Sequence, residues 1–145
     1  MTKKELAESL FRQGLNCSQA VAAAFCDEMN IDSETVKRLT LGFGGGMGRM
    51  REVCGAVSGM TFVLSAIYKN DNKAQMYKRV QENAEKFRQS NGSVVCRELL
   101  GIQTNAADSP VPEARTPQYY KKRPCPELVA TAAEILEEYL KNNPV

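Results

Sequence analysis

The chain has 145 residues, of which 43% are hydrophobic and 25% charged, with a formal net charge of +2 and no histidine. These values are typical of a globular protein, and residues 1–145 are long enough to form one domain with one core. The small net charge argues against nucleic-acid binding, and the longest apolar stretch is too short to cross a bilayer. The charged N-terminal stretch does not resemble a secretory signal, so we expect a cytoplasmic protein with free thiols.

The spacing of apolar residues predicts an all-α fold, a single compact bundle of six or seven helices. No segment shows the alternation that is typical of a half-buried strand. The two central helices are expected at residues 17–29, whose AVAAAF middle is apolar on every side, and at residues 50–68. In chain order, the predicted helices cover residues 2–12, 17–29, 33–41, 50–68, 73–89, 93–100 and 125 onwards.

A glycine-rich loop, Gly42–Gly48, lies between the two central helices. It can be simply a tight connection, or it can bring backbone N–H groups to an anionic group, which makes Gly45 and Gly46 candidate cofactor-binding residues. A phosphate loop is disfavoured, because no Gly-Lys-Ser/Thr follows and no strand precedes it. Further on, Gly55 and Gly59 lie one turn apart and leave room for another backbone.

Residues 102–124 hold four of the six prolines and few strongly apolar side chains. We interpret them as a long ordered loop that covers a functional site, because long loops without secondary structure are commonly functional. The loop ends directly before Cys125-Pro126, where proline at the first turn indicates the start of the last helix.

Four of the five cysteines fall at predicted helix N-termini: Cys17, Cys54, Cys96 and Cys125. The positive end of a helix lowers a thiol pKa and favours the reactive, metal-binding thiolate. The alternative is that they pack as small buried hydrophobes. Cys26 is predicted in mid-helix, where packing is the better interpretation. Arg49 and Arg51 are either solvated or favour a thiolate at Cys54.

Three stretches together resemble the C_GCAxxG_C_C family of redox-active proteins: Asn16-Cys17-Ser18-Gln19-Ala20, Gly42–Gly48 and Cys54–Gly59, followed by single cysteines at 96 and 125. The resemblance covers nearly the whole chain. Members of the family are small bacterial and archaeal proteins. The resemblance implies a redox role, with Cys17, Cys54, Cys96 and Cys125 as the family cysteines.

Three functions remain open at this stage. The first is an iron–sulfur site, most simply [2Fe–2S], with metal ligands Cys17, Cys54, Cys96 and Cys125. The second is a thiol–disulfide oxidoreductase in which Cys54 is the catalytic thiol and another cysteine resolves. The third is a zinc-binding or metal-free helical interaction module without turnover.

The expected partners follow from the redox interpretation. They are a redox partner protein, or a small-molecule electron donor or acceptor, and neither nucleic acid nor a membrane. Association into a homo-oligomer is left open. All three functions require a test of whether the four cysteines meet in one place.

Overall fold

The computed structural model describes residues 1–145 and is all-α. Six helices of seven residues or more form the bundle, in agreement with the predicted fold class, and shorter helical turns connect them. An isolated antiparallel bridge joins Val53 and Val95. The helices are α1 (Lys3–Arg12), α2 (Cys17–Ala23), α3 (Cys26–Met29), α4 (Ser33–Thr40), α5 (Gly44–Met47), α6 (Gly55–Ile67), α7 (Lys73–Asn91), α8 (Cys96–Leu100), α9 (Pro117–Lys122) and α10 (Cys125–Asn142), with a 3-10 turn at Leu41–Phe43.

Helices α2 and α6 form the buried centre, as predicted, and α1 packs along α10 beside them. The two central helices touch backbone to backbone at Gly59. A Cβ there would lie 2.9 Å from the carbonyl oxygen of Ser18 and 3.0 Å from Cβ of Val21. The close approach predicted from Gly55 and Gly59 is therefore confirmed, and α2 is the helix that approaches.

The predicted continuous helix over residues 17–29 is wrong, because the chain leaves the helical conformation at Phe25 (φ −114°, ψ 22°). The Phe25 side chain is fully buried, and Lys3 Nζ donates to the Ala24 carbonyl oxygen at 2.9 Å. This long-range bond satisfies an acceptor that the break releases. Cys26 consequently begins α3 and is not in mid-helix.

The helix predicted over residues 50–68 starts later, at Gly55, with Cys54 as its N-cap. The preceding residues run beside residues 94–96 instead. Cys54 N–H donates to Val94 O at 2.8 Å, and Cys96 N–H donates to Glu52 O at 2.6 Å. This pairing between distant segments gives the backbone of residues 52–54 partners that a helix would otherwise supply.

Smaller boundary differences have local causes. Asp32, and not Ser33, caps α4, because its carboxylate accepts from Thr35 N–H at 3.0 Å. The helix predicted over residues 93–100 begins at Cys96. The long loop predicted over residues 102–124 contains α9, which Thr116 caps and Pro117 opens.

The glycine-rich loop forms a left-handed turn. Five consecutive residues, 45–49, have φ between 58° and 71°, and Arg51 also has a positive φ of 61°. Left-handed geometry costs about 1–2 kcal/mol for each residue with a side chain. Three such residues, Met47, Arg49 and Arg51, are therefore held in place by the surrounding contacts.

Hydrogen bonds hold the loop between α8 and α9 against the glycine-rich turn. Arg51 Nε donates to Asp108 at 2.9 Å, and Arg49 Nε donates to the Ser109 carbonyl oxygen at 2.6 Å. Further along, the Arg115 guanidinium donates to backbone carbonyls at the end of α1. None of the helices combines the length and the apolarity that crossing a membrane requires.

Candidate functional site

Four of the five cysteines line one cavity of about 340 Å³. Each lies at a helix N-terminus, as predicted: Cys17, Cys96 and Cys125 are first residues of α2, α8 and α10, and Cys54 caps α6. Gly45 and Gly46 also line this cavity. Cys26 is half-buried and does not line it, although it too begins a helix.

Cys17 is positioned by its neighbours in the Asn16–Gln19 stretch. The Asn16 side chain caps α2 and donates to the Leu41 carbonyl oxygen at 2.9 Å. Ser18 Oγ lies 2.7 Å from Thr40 O, and Gln19 Nε2 donates to Lys37 O at 2.9 Å. These bonds join the N-terminus of α2 to the C-terminal end of α4. The polar residues around Cys17 therefore orient the helix end that carries its thiol.

Cys96 lies against the glycine turn. A Cβ on Gly46 would lie 2.6 Å from Cys96 Cβ and 2.8 Å from Arg51 Cα, so only glycine fits at position 46. Arg51 Nη1 lies 3.7 Å from Cys96 Sγ and donates to it. The N–H groups of residues 48–52 donate to carbonyls within residues 42–47. The turn thus brings its backbone and an arginine to the cavity, but those N–H groups are already paired.

Helix-end electrostatics compete with burial at each thiol, and burial wins at two of them. Burial raises the pKa of Cys54 to about 12, although the backbone N–H groups of Ala56 and Val57 act to lower it. Burial likewise raises the pKa of Cys96, against the opposing effect of Arg51. One interpretation of the sequence was that Arg49 and Arg51 favour a thiolate at Cys54. In the structure Arg51 donates to Cys96 instead.

Cys17 and Cys125 behave as a hydrogen-bonded pair. Hydrogen bonding between the two thiols lowers the pKa of Cys125 to about 7 despite its burial. The positive charge of Arg123 and the hydroxyl of Tyr119 lower it further. The same hydrogen bond, together with burial, raises the pKa of Cys17 well above its usual value. The pair therefore holds one proton on Cys17 and a thiolate on Cys125 near neutral pH.

Four arginines contribute to the cavity wall. Arg49 and Arg51 come from the glycine turn, and Arg115 and Arg123 from the segment around α9. Two carboxylates pair with them, Asp108 with the first two and Glu113 with Arg123. The wall therefore carries two positive charges in excess of these carboxylates.

The cysteines are spread over the cavity wall and do not form a compact ligand set. No three Cys, Asp or Glu side chains are placed so that they could hold one metal ion. Thiolates are suitable donors for iron–sulfur clusters and zinc, so the chemistry of the four side chains fits either group.

The model of a protein family described as "Putative redox-active protein (C_GCAxxG_C_C)" matches residues 15–139. The chain belongs to this family. The match includes all four cysteines of the cavity and the whole glycine turn, which agrees with the resemblance seen in the sequence. Neither the curated proteins nor the solved structures include a match to the chain.

The C_GCAxxG_C_C name gives the order Gly-Cys-Ala, whereas this member has Cys54-Gly55-Ala56. The structure explains why glycine occupies position 55. A Cβ there would lie 3.1 Å from Phe43 O and 3.2 Å from Cys17 Cβ. Gly55 therefore keeps the N-terminus of α6 close to Cys17, and Cys54 beside it faces the same cavity.

The sequence did not identify Arg115, Tyr119 or Arg123 as site residues. All three line the cavity. Two signals were present: a polar pair of tyrosines in a proline-rich segment, and an arginine two residues before Cys125. Neither signal predicts which way these side chains point. Only the folded loop places the three residues beside the thiols.

Proposed function

We propose that this protein is a thiol-based redox protein in which Cys17 and Cys125 interconvert between a dithiol and a disulfide. The observation that carries the proposal is that Cys17 and Cys125, the first residues of α2 and α10, line one cavity, where interaction with Cys17 lowers the pKa of the Cys125 thiol. A thiolate with a pKa near ambient pH is the most effective attacking group in thiol–disulfide exchange. The redox character of the family agrees with this assignment.

The chemistry requires an external disulfide as electron acceptor. The Cys125 thiolate attacks one sulfur of the acceptor, whose S–S bond breaks and releases one thiolate. The Cys17 thiol then gives its proton to the released thiolate and attacks the Cys125 sulfur, which releases the second thiolate. Two electrons pass from the two cysteines to the acceptor, and a redox partner protein or a small dithiol returns the pair to the reduced state.

Cys125 replaces Cys54 as the attacking thiol in this proposal. With a pKa of about 12, Cys54 is almost entirely protonated at neutral pH, and a thiol is a poor nucleophile. Cys54 is also only 3% exposed, against 9% for Cys125. Cys54 and Cys96 then complete the polar wall of the cavity and are not required for the exchange.

The test is to treat reduced protein with a mild oxidant and to map disulfides by peptide mass spectrometry under acidic quench. The expected result is loss of two thiols and one peptide pair that joins Cys17 to Cys125. The Cys26→Ser variant is the matched control and retains this product. Retention of all thiols, or a dominant pair that excludes Cys125, would contradict the proposal.

A bound iron–sulfur cluster is the second candidate, supported by the four thiols on one cavity wall. Cys17, Cys54, Cys96 and Cys125 would be its ligands, with Gly45 and Gly46 beside it. A [2Fe–2S] cluster takes two cysteines on each iron and does not need three of them at one ion. Zinc bound by the same cysteines, in an interaction module without turnover, does need them at one ion, and no three of these side chains are so placed.

Anaerobic reconstitution with iron and sulfide separates these candidates. Thiol exchange predicts colourless protein without bound iron and with five titratable thiols, one for each free cysteine. Iron and sulfide bound in stoichiometric amounts, and lost in the Cys54→Ser variant, would favour the cluster. Zinc retained through gel filtration by the protein as purified would favour the interaction module.

A further inference from the structure

One guanidinium nitrogen on the cavity wall has no partner. Arg51 is 4% exposed, and its Nε and Nη1 donate to Asp108 and to Cys96 sulfur. Its Nη2 is buried and forms no hydrogen bond. Buried donors are nearly always paired, and an unpaired one on a charged group is particularly unfavourable. This nitrogen therefore has hydrogen-bonding capacity that no other group of the protein satisfies.

The backbone conformation of Arg51 is a second, independent observation. Arg51 has a φ of 61°, which an L residue with a long side chain rarely adopts. Strain of this kind persists where the surroundings enforce it, and it is concentrated at binding sites. Here the preceding glycine turn and the ion pair with Asp108 hold the residue, and this conformation places its side chain on the cavity wall.

The rest of the wall indicates what kind of molecule the cavity accepts. Its excess of positive charge favours an anion, and its volume of about 340 Å³ lies at the lower end for small-molecule sites. The remaining lining is largely apolar, so the body of the ligand is aliphatic. The apolar side chains are Phe11, Leu41, Leu99, Leu100 and Leu128.

We propose that Arg51 Nη2 binds the carboxylate of a small aliphatic disulfide, which is the electron acceptor of the Cys17–Cys125 pair. A planar guanidinium pairs well with a carboxylate, and the charge-assisted bond satisfies the unpaired donor. Cys125 and Arg51 line the same cavity, so one bound molecule can contact both. The redox step rests on the proposed function, whereas the anion site does not.

Binding of an unreactive analogue tests the anion site alone. Suberate has the chain length of dithiodipropionate, with two methylenes in place of the two sulfurs. Calorimetry on reduced protein is expected to show binding of suberate and much weaker binding of the uncharged octanediol. Arg51→Gln is expected to weaken suberate binding roughly 10- to 100-fold, as loss of a charge-assisted hydrogen bond implies.

Arg38→Gln is the matched control, because Arg38 is an exposed arginine on α4 that does not line the cavity. It is expected to bind suberate as the unaltered protein does. Equal binding of suberate and octanediol by the unaltered protein overturns the inference, and this comparison needs no folded variant. Equal suberate binding by folded Arg51→Gln overturns it as well.

Oxidation rates test the selectivity. We expect reduced protein to lose thiols fastest with dithiodipropionate, about tenfold more slowly with neutral hydroxyethyl disulfide, and slowest with cationic cystamine, and we expect Arg51→Gln to remove this order. Equal rates for the three disulfides overturn the inference and leave the proposed function intact. Suberate binding without oxidation of the pair by any of them overturns the proposed function and the acceptor role, and leaves the anion site.

Discussion

At Cys125, burial raises the pKa while four effects that favour the thiolate lower it, and the four together prevail. The largest is hydrogen bonding with Cys17, followed by the charge of Arg123, the hydroxyl of Tyr119 and the charge of Arg51. At Cys54, the N–H groups at the start of α6 favour the thiolate but do not compensate for burial. Both cysteines lie at a helix N-terminus. Their pKa values differ mainly because Cys125 has the Cys17 thiol as a hydrogen-bonding neighbour.

The low pKa of Cys125 should make its reactivity depend on pH near neutrality. Because the pKa of Cys125 is lowered to about 7, its thiolate is present above that pH and is lost about tenfold per pH unit below it. Alkylation of reduced protein by iodoacetamide is expected to rise with pH to an inflection near 7, and Cys125→Ser should remove this phase. Mass spectrometry of the alkylated peptides provides the measurement.

Cys17→Ala tests the cause of the low pKa. Without the thiol donor, the pKa of Cys125 is expected to rise, and the inflection should move to higher pH. Cys26 does not line the cavity, so Cys26→Ser should leave the inflection unchanged. An inflection that stays near pH 7 in Cys17→Ala would show that the hydrogen bond is not the main cause.

Between elements, the close contact of α2 and α6 depends on small residues. Gly59→Ala places a Cβ against the Ser18 carbonyl oxygen, a backbone atom that cannot move without displacing α2. We expect a loss of about 1–3 kcal/mol in the free energy of unfolding, measured by urea denaturation. Gly42→Ala, with no atom within 4 Å of the new Cβ, is the control and should change stability by less than about 0.5 kcal/mol.

The loop over the cavity is anchored to α1 by one residue. Arg115 donates to Phe11 O at 2.8 Å and Leu15 O at 3.0 Å, and its guanidinium lies 4.0 Å from the centre of the Phe11 ring. Arg115→Gln removes both of these hydrogen bonds, which join residues about 100 positions apart. We expect faster hydrogen exchange in residues 102–116 and severalfold faster alkylation of Cys17 and Cys125, because hydrogen bonds from charged groups contribute about 1.5–3 kcal/mol.

Arg88→Gln is the matched control for this variant, since Arg88 is an exposed arginine on α7 far from the loop in sequence. Its hydrogen exchange over residues 102–116 should equal that of the unaltered protein. Unchanged exchange in Arg115→Gln would mean that the Asp108 and Ser109 contacts alone hold the loop.

At the scale of the whole molecule, the proposed disulfide would join the first residue of α2 to the first residue of α10. These positions are 108 residues apart, so the bond closes most of the chain into one loop. Loop-closure entropy predicts up to about 4–5 kcal/mol of stabilisation for a loop of this length, less any strain in the native state. We expect the oxidised protein to unfold at higher urea concentration than the reduced protein.

Circular dichroism with and without reductant measures this difference. Cys17→Ser should abolish it, whereas Cys26→Ser should preserve it. Oxidised protein that unfolds at the same urea concentration as reduced protein, with the Cys17–Cys125 bond verified by mass spectrometry, would contradict the loop-closure argument.

The sequence predicted the all-α class, the main helices, the cysteines at helix starts and the approach of another backbone at Gly59. These properties depend on local physical effects, such as the 3.6-residue period, capping side chains and the lack of a Cβ. The larger errors in the two central helices fall at Phe25 and at residues 50–54. In both places a long-range contact, from Lys3 or from residues 94–96, outweighs local helix preference.

Which cysteines line one cavity, which thiol has a lowered pKa and which arginine keeps an unpaired nitrogen were decided by the tertiary structure. The sequence identified Cys17, Cys54, Cys96 and Cys125 as a group, because each precedes or begins a helix. It did not rank them, because desolvation and hydrogen bonding depend on residues that are distant in the chain. Cys17 acquires its partner only when α10 folds beside α2, and Arg51 meets the cavity only through the left-handed turn before it.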